Sequence, residues 1–363
     1  SNLCVEVNLF SDSNETAVCN LASICLPKFV EYKINKSDNI IVYSKDNCSY
    51  CDLVKKLLSD YNIQYCEILL NNNKERLDFY EKYTNDEEDI LVNTMPQIFH
   101  NDKRIGGYTD LVKYLEDIKH FNFEKLGEVT ETIVENLDII IDKNYYPTNE
   151  AKVSNMKHRP IGIGVQGLAD AFMVLNLSFT CENAKKLNKD IFETIYYHAL
   201  KKSCELSKEK GSYETFNGSP ASKGILQFDL WNKIPEKYSL EKWTSLKQEI
   251  QECGLRNSTL IALMPTASTA QIMGNNESFE PYTSNIYTRR VLAGEFVLIN
   301  KHLIKYLKSN NLFSKDIIDS IIFQKGSVQG LNISKESKEI FKTVWEISQK
   351  SLLEMSADRS PYI

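Results

Sequence analysis

Two thiols two residues apart, Cys48-Ser49-Tyr50-Cys51, follow the apolar, β-branched run 39–44 and open a stretch of helical spacing, 51–58. A thiol at a helix start sees the positive end of the macrodipole and free backbone N–H groups, so its thiolate is stabilised and Cys48 becomes the attacking nucleophile. Cys51, one turn later, can resolve the mixed disulfide that results. The same spacing would serve half of a zinc site, but zinc takes four ligands and no second C-x-x-C or C-x-x-H pair follows. No metal is therefore expected at this pair.

A second constellation stands at the start. Asn2, Cys4 and Glu6 are spaced by two, so on an extended strand their side chains share one face while Leu3, Val5 and Val7 take the other. Thiol, carboxylate and amide would meet in one site, although a strand cysteine also serves as a small buried hydrophobe. A third segment, Met264-Pro265-Thr266-Ala267-Ser268-Thr269-Ala270-Gln271, follows the apolar run 259–264 and begins a short helix. Hydroxyls and bare N–H groups there suit a phosphate or diphosphate, and Ser and Thr are equally common as plain N-caps. Gly162-Ile163-Gly164-Val165-Gln166-Gly167 matches G-x-G-x-x-G, but it follows Lys157-His158-Arg159-Pro160 and lacks the acidic residue of a dinucleotide site. It reads as a tightly packed helix start.

The elements that must position these residues fall into three stretches, 1–33, 34–119 and 120–363. The middle one alternates strand 39–44, helix 51–58, strand 64–69, helix 74–83, a hairpin of 97–100 and 103–105 turned at Asn101-Asp102, and helix 109–118. The last is helix-rich, with long periodic stretches at 123–141, 184–208, 240–253 and 336–355 and one buried strand at 259–264. The 363 residues carry a net charge of −6, with 42% hydrophobic and 25% charged residues, which is ordinary globular usage. An acidic balance argues against a nucleic-acid surface, and no apolar run reaches the roughly 18 residues of a membrane span. Nine cysteines, an odd and unevenly placed set, fit a reducing cytoplasm better than a secreted disulfide framework. The start has neither Met nor a signal peptide and reads as a piece of a longer chain.

Tyr43-Ser44-Lys45 ahead of the thiols, Thr94-Met95-Pro96-Gln97-Ile98-Phe99, and Ile105-Gly106-Gly107-Tyr108-Thr109-Asp110 make residues 38–118 resemble a glutaredoxin. The resemblance implies a thioredoxin-like fold, a cis Pro96 facing the thiols, and glutathione contacts at Lys45, Tyr50, Met95, Pro96, Tyr108, Thr109 and Asp110. Glutaredoxins more often have Pro where Ser49 stands. Taken alone, Gly106-Gly107 is a simple turn before a helix.

The flanks carry a second resemblance. Residues 1–6, 17–24, 158–170, 264–271 and Asn275 through Tyr287 resemble the large, catalytic subunit of class I ribonucleotide reductase. The implied fold is α/β: the second half of a ten-stranded barrel, interrupted by the glutaredoxin domain. By the same resemblance Cys4 is the thiyl radical that abstracts the ribose 3′ hydrogen, Glu6 the general base for the 3′-hydroxyl, and Asn2 a partner of the ribose hydroxyls. Cys19 is one of two thiols that supply electrons as the 2′-hydroxyl leaves, and Thr266, Ala267, Ser268 and Thr269 hold the substrate diphosphate. The implied partners are ribonucleoside diphosphates, glutathione as reductant, and a metal-containing small subunit that supplies the radical; no cofactor is bound directly. The family's other half-barrel, allosteric sites, relay tyrosines and tail cysteines have no counterpart here, so this chain should act with N-terminal and C-terminal pieces of the large subunit and not reduce nucleotides alone. The competing expectation is a redox adaptor, in which only the dithiol is active and the flanks are a docking scaffold.

Overall fold

The computed structural model describes residues 6–34, 37–85 and 91–363, so the expected strand face of Asn2 and Cys4 lies outside the described residues; residues 6–10 carry no strand. The chain divides into two compact units, one of Glu31–Phe121 and one of the flanking Ser1–Val30 and Asn122–Ile363. The first described element is β1 (Asn20–Cys25), followed by a 3-10 turn at Leu26–Phe29 that seats Leu26 and Phe29 in the core. Strand β2 (Val30–Tyr32) leads out.

The interrupting unit runs β3 (Ile40–Ser44), α1 (Ser49–Asp60), β4 (Cys66–Leu69), α2 (Asn73–Asn85), β5 (Gln97–His100), β6 (Lys103–Gly106), α3 (Tyr108–Asp117) and β7 (Lys119–Phe121), which pairs with β2. Its sheet has the order β4-β3-β5-β6. β3 lies parallel to β4 and antiparallel to β5. Asn101 and Asp102 both take positive φ, 48° and 65°. That is the geometry a two-residue hairpin needs to match strand twist, and Asn and Asp tolerate it best after Gly. The alternating residues Ile40 and Val42 of β3 join Val54, Leu58, Ile98, Leu111 and Leu115 in one core between sheet and helices. A second cluster gathers Cys51, Phe79, Val92, Met95 and Phe99 behind the thiols.

The chain returns through α4 (Phe123–Lys143), α5 (Asn149–His158), β8 (Ile161–Gln166) and α6 (Leu168–Val174). Then come α7 (Glu182–Lys210), α8 (Gln227–Leu230), α9 (Leu240–Cys253) and α10 (Ala267–Met273). A hairpin of β9 (Ile286–Val291) and β10 (Gly294–Ile299), absent from the sequence reading, precedes α11 (Lys301–Ser309), α12 (Lys315–Phe323), α13 (Lys335–Ile340) and α14 (Gln349–Arg359). Long helices α4 and α7 pack together. Gly127 leaves room for the His198 ring, from which a Cβ there would stand only 2.5 Å away.

Three expectations need correction. The G-x-G-x-x-G segment is not a helix start: Ile161–Gln166 is a fully buried strand parallel to β1, and only Gly167, at φ 73°, turns the chain into α6. Its glycines serve close strand approach, since a Cβ on Gly164 would lie 2.7 Å from the Ala262 carbonyl oxygen. The run 259–264 is not a regular strand: it bonds β8 from Thr259 to Ala262 with a single bridge, Ile163 to Ile261, and then the Met264 N–H turns back to the Ala262 carbonyl. The periodic stretch 336–355 is broken between α13 and α14. Thr343 and Glu346 form a capping box around a 3-10 turn at Val344–Glu346, and Ser348 caps α14 by accepting the Ser351 N–H at 3.1 Å. Local hydroxyl bonds there replace the helix ladder.

Candidate functional site

Strand β3 ends at buried Ser44, and four residues later Cys48 stands as the N-cap of α1, accepting the Cys51 N–H on its sulfur at 3.3 Å. Cys48 and Cys51 are joined as a disulfide with a Cα separation of 5.2 Å, Cys51 fully buried and Cys48 nearly so. When the pair is reduced, the same N–H and the helix start stabilise a Cys48 thiolate. The Met95–Pro96 bond is cis, and the Met95 carbonyl oxygen lies 3.7 Å from the Cys48 sulfur. Behind the proline, Gly107 caps α3; its N–H donates to the Asp110 carboxylate at 2.8 Å, and a Cβ on it would stand 3.7 Å from the Pro96 carbonyl oxygen. The Tyr50 and Tyr108 ring centroids lie 6.1 Å apart, the planes tilted by 47°. Lys45, Tyr50, Thr109 and Asp110 are exposed, whereas Met95 and Pro96 are buried. Dithiol, proline and α3 start therefore lie together.

In the other unit, Cys19 immediately precedes β1, beside Gly162 of β8, where an added Cβ would come within 3.5 Å of the sulfur. Burial, and then the Glu6 carboxylate, push the Cys19 thiol up to about 12. The sulfur thus keeps its proton at neutral pH and can act as a hydrogen or proton donor. Two and four residues on, alternation returns Leu21 and Ser23 to the same face. Ser23 Oγ accepts the Gln166 side-chain N–H at 2.9 Å and lies 3.4 Å from Thr269 Oγ1. Thr266, buried and at φ 56°, begins α10; Ala267, Ser268 and Thr269 are exposed. The structure brings Glu6 within electrostatic reach of Cys19, and Ser23 to Thr269. Asn2 and Cys4 lie outside the described residues. Ser23 and Gln166 escaped the sequence reading; their signal was alternation with Cys19 along one strand and its parallel neighbour. No group of His, Cys, Asp and Glu among the described residues could hold a metal ion, and no helix there is long and apolar enough to cross a membrane.

Fold and site define a thiol-redox α/β protein whose parallel-stranded unit is interrupted by a thioredoxin-like one. Residues 1–65 and 107–363 match the family model described as ribonucleotide reductase, barrel domain, and residues 40–105 match glutaredoxin. Residues 40–65 fall in both matches; structurally they belong to the four-stranded sheet unit. The chain belongs to the ribonucleotide reductase large-subunit barrel family, and it carries a glutaredoxin domain. It is 45% identical to the ribonucleoside-diphosphate reductase large subunit of Arabidopsis thaliana over 364 residues, covering 100% of this chain and 36% of that protein. The Danio rerio large subunit is 56% identical over 251 residues, 69% of this chain and 31% of the relative. Among solved structures, the Actinobacillus ureae class Id ribonucleotide reductase alpha subunit matches with a TM-score of 0.50 and 29% identity, covering 65% of this chain and 38% of that one. The chain thus spans about a third of the length of the curated relatives it matches.

Proposed function

We propose that this chain supplies part of the catalytic barrel of a ribonucleoside-diphosphate reductase and, in its glutaredoxin domain, a built-in electron donor. The observation that carries this reading is the placement of Cys19, just ahead of β1, on the same side as Leu21 and Ser23, with Ser23 against Thr269. Four residues of near-extended chain span about 13 Å, a distance on the scale of a ribose diphosphate. The substrate's diphosphate would lie on Thr266, Ala267, Ser268 and Thr269, with its ribose toward Cys19. There the protonated Cys19 thiol would give hydrogen as the 2′-hydroxyl leaves and then join a partner thiol in a disulfide. Cys4 would carry the thiyl radical, Glu6 would accept the 3′-hydroxyl proton, and Asn2 would bond the ribose hydroxyls. The radical would come from a metal-containing small subunit, and the remaining barrel from the N-terminal and C-terminal pieces of the large subunit.

Each turnover leaves a disulfide. Tethering a glutaredoxin makes its reduction intramolecular, at effective concentrations on the order of millimolar when linkers span the distance. The Cys48 thiolate would attack that disulfide, Cys51 would release the reduced enzyme by forming the Cys48–Cys51 bond, and two glutathione thiols would restore the pair. Lys45, Tyr50, Met95, Pro96, Tyr108, Thr109 and Asp110 would hold glutathione. Such thiol chemistry suits the reducing cytoplasm. Similarity to large subunits along the entire chain favours this reading over a docking scaffold. The test is nucleoside diphosphate reduction by the assembled enzyme with glutathione as sole reductant. Cys48→Ser should abolish glutathione-supported turnover while a chemical dithiol still sustains it, and Cys19→Ser should abolish both. Unchanged glutathione-supported turnover in Cys48→Ser would sink the donor role.

A further inference from the structure

Asp170, in the first turn of α6, is fully buried, and its carboxylate is surrounded by donors. Oδ2 accepts the Asn276 N–H at 2.8 Å; Oδ1 accepts the Tyr282 hydroxyl at 2.8 Å and His302 Nε2 at 2.9 Å, with Lys301 Nζ 3.9 Å away. Burial alone would raise this acid, but the bonds from His302, Asn276 and Tyr282 hold it below the usual Asp range, so it stays charged. Three donors come from one stretch of chain after α10 and from α11. The stretch is held again where the Gly167 N–H reaches the Asn276 carbonyl at 3.0 Å.

That stretch is tied in turn to the proposed diphosphate segment. The Ser278 N–H donates to Thr266 Oγ1 at 2.8 Å, and Thr266 sits at φ 56°, a left-handed conformation costly for a β-branched residue. Thr266 persists there because its surroundings hold it, and the Ser278 bond is one of those restraints. Both Asp170 and Ser278 lie outside the segment that would meet the phosphates.

We propose that Asp170 is a positioning residue for substrate binding: through Asn276 and Ser278 it fixes Thr266, and with it the 266–269 segment that receives the diphosphate. This rests on the diphosphate reading of that segment. A carboxylate suits the task because it alone accepts from three donors at once without presenting an N–H of its own. Asp170→Asn keeps the shape but places an amide N–H against one donor, releasing the stretch without emptying the core.

The experiment uses the complete reductase, measuring kcat, KM for a nucleoside diphosphate, and competitive inhibition by inorganic diphosphate. Asp170→Asn should raise KM and the diphosphate inhibition constant about tenfold, the size of one lost charge-assisted hydrogen bond, with kcat within about twofold. A purely structural role would instead lower kcat through loss of active enzyme and leave both constants alone, overturning the proposal. Thr266→Val, which removes the acceptor for Ser278 and a hydroxyl of the diphosphate segment itself, should give at least the same rise, and adding Asp170→Asn to it should raise the constants no further. Additive effects would overturn the link. If Asp170→Asn does not fold, Tyr282→Phe, which removes another bond between the stretch and the same carboxylate and lies outside the diphosphate segment, takes its place: unchanged constants there overturn the proposal. Ser268→Ala with Thr269→Val separates the two readings. Unchanged diphosphate inhibition there removes the diphosphate reading, whereas weakened inhibition there with a normal Asp170→Asn removes only the positioning role.

Discussion

The Cys19 thiol offers the sharpest quantitative test. Burial and the Glu6 carboxylate raise it from 9.0 to about 12. At pH 8 a thiol of pKa 9.0 is about one-tenth thiolate, whereas one near 12 is about one part in ten thousand, so alkylation at Cys19 should be slower by about a thousandfold. Steric shielding also slows alkylation, but it does not change the pH slope. Between pH 8 and pH 10 the rate at an ordinary thiol rises only about tenfold, because it levels off near 9; at Cys19 it should rise about a hundredfold. The assay is iodoacetamide pulse labelling of the intact chain with peptide-resolved mass spectrometry. Glu6→Gln removes the smaller of the two causes, so the pH 8 rate should rise while the slope stays steep, because burial alone still holds the thiol high. A tenfold slope in the unaltered protein would refute the raised thiol, and an unchanged pH 8 rate in Glu6→Gln would refute the influence of that carboxylate on Cys19. The same shift makes the native state bind the proton more tightly, so it lends stability that is complete below about 9 and is lost as pH rises toward about 12.

Three further outcomes are expected. Cys51→Ser leaves the N-cap thiol of Cys48 without its resolving partner, so incubation with oxidised glutathione should trap one glutathione adduct at Cys48, visible by mass; no adduct would refute Cys48 as the attacking thiol. Gly164→Ala should destabilise the barrel unit by about 2 kcal/mol in urea unfolding, because the new methyl lies 2.7 Å from the Ala262 backbone oxygen and overpacking costs about 1–3 kcal/mol; a variant as stable as the parent would contradict the close strand approach. Glu193→Ala should cost about 3 kcal/mol, since this buried carboxylate accepts the N–H groups of Glu236, Lys237 and Tyr238, the Trp243 indole and the Tyr362 hydroxyl, and its loss strands them. Retained protection of those three amides in hydrogen exchange would contradict that account.

Much of the interrupting unit is legible because its signals are local. The β-branched run before Cys48, the two-residue turn Asn101-Asp102 and the amphipathic run of α3 each act over fewer than a dozen residues, and the structure has strand, hairpin and helix at those places. The barrel unit was less legible for a physical reason. A buried parallel strand such as β8 shows no alternation, so its glycines looked like a helix start. The apolar period of 336–355 reported which face is buried but not that Thr343 and Ser348 would bond the backbone and end the helix.

The sequence by itself determined the chemistry on offer: a C-x-x-C dithiol at a helix start, an unpaired Cys19, a hydroxyl-rich segment 266–269, and motifs long enough to point to a family. It did so because reactive side chains and their immediate neighbours are written consecutively. Only the tertiary structure decided which distant groups meet. Ser23 reaches Thr269 across 246 positions, and Glu6 comes close enough to Cys19 to help hold its proton. Asp170 gathers donors from Asn276, Tyr282 and His302. Those encounters depend on parallel register and on the close approach that Gly162 and Gly164 permit, and neither leaves a periodic trace in the chain.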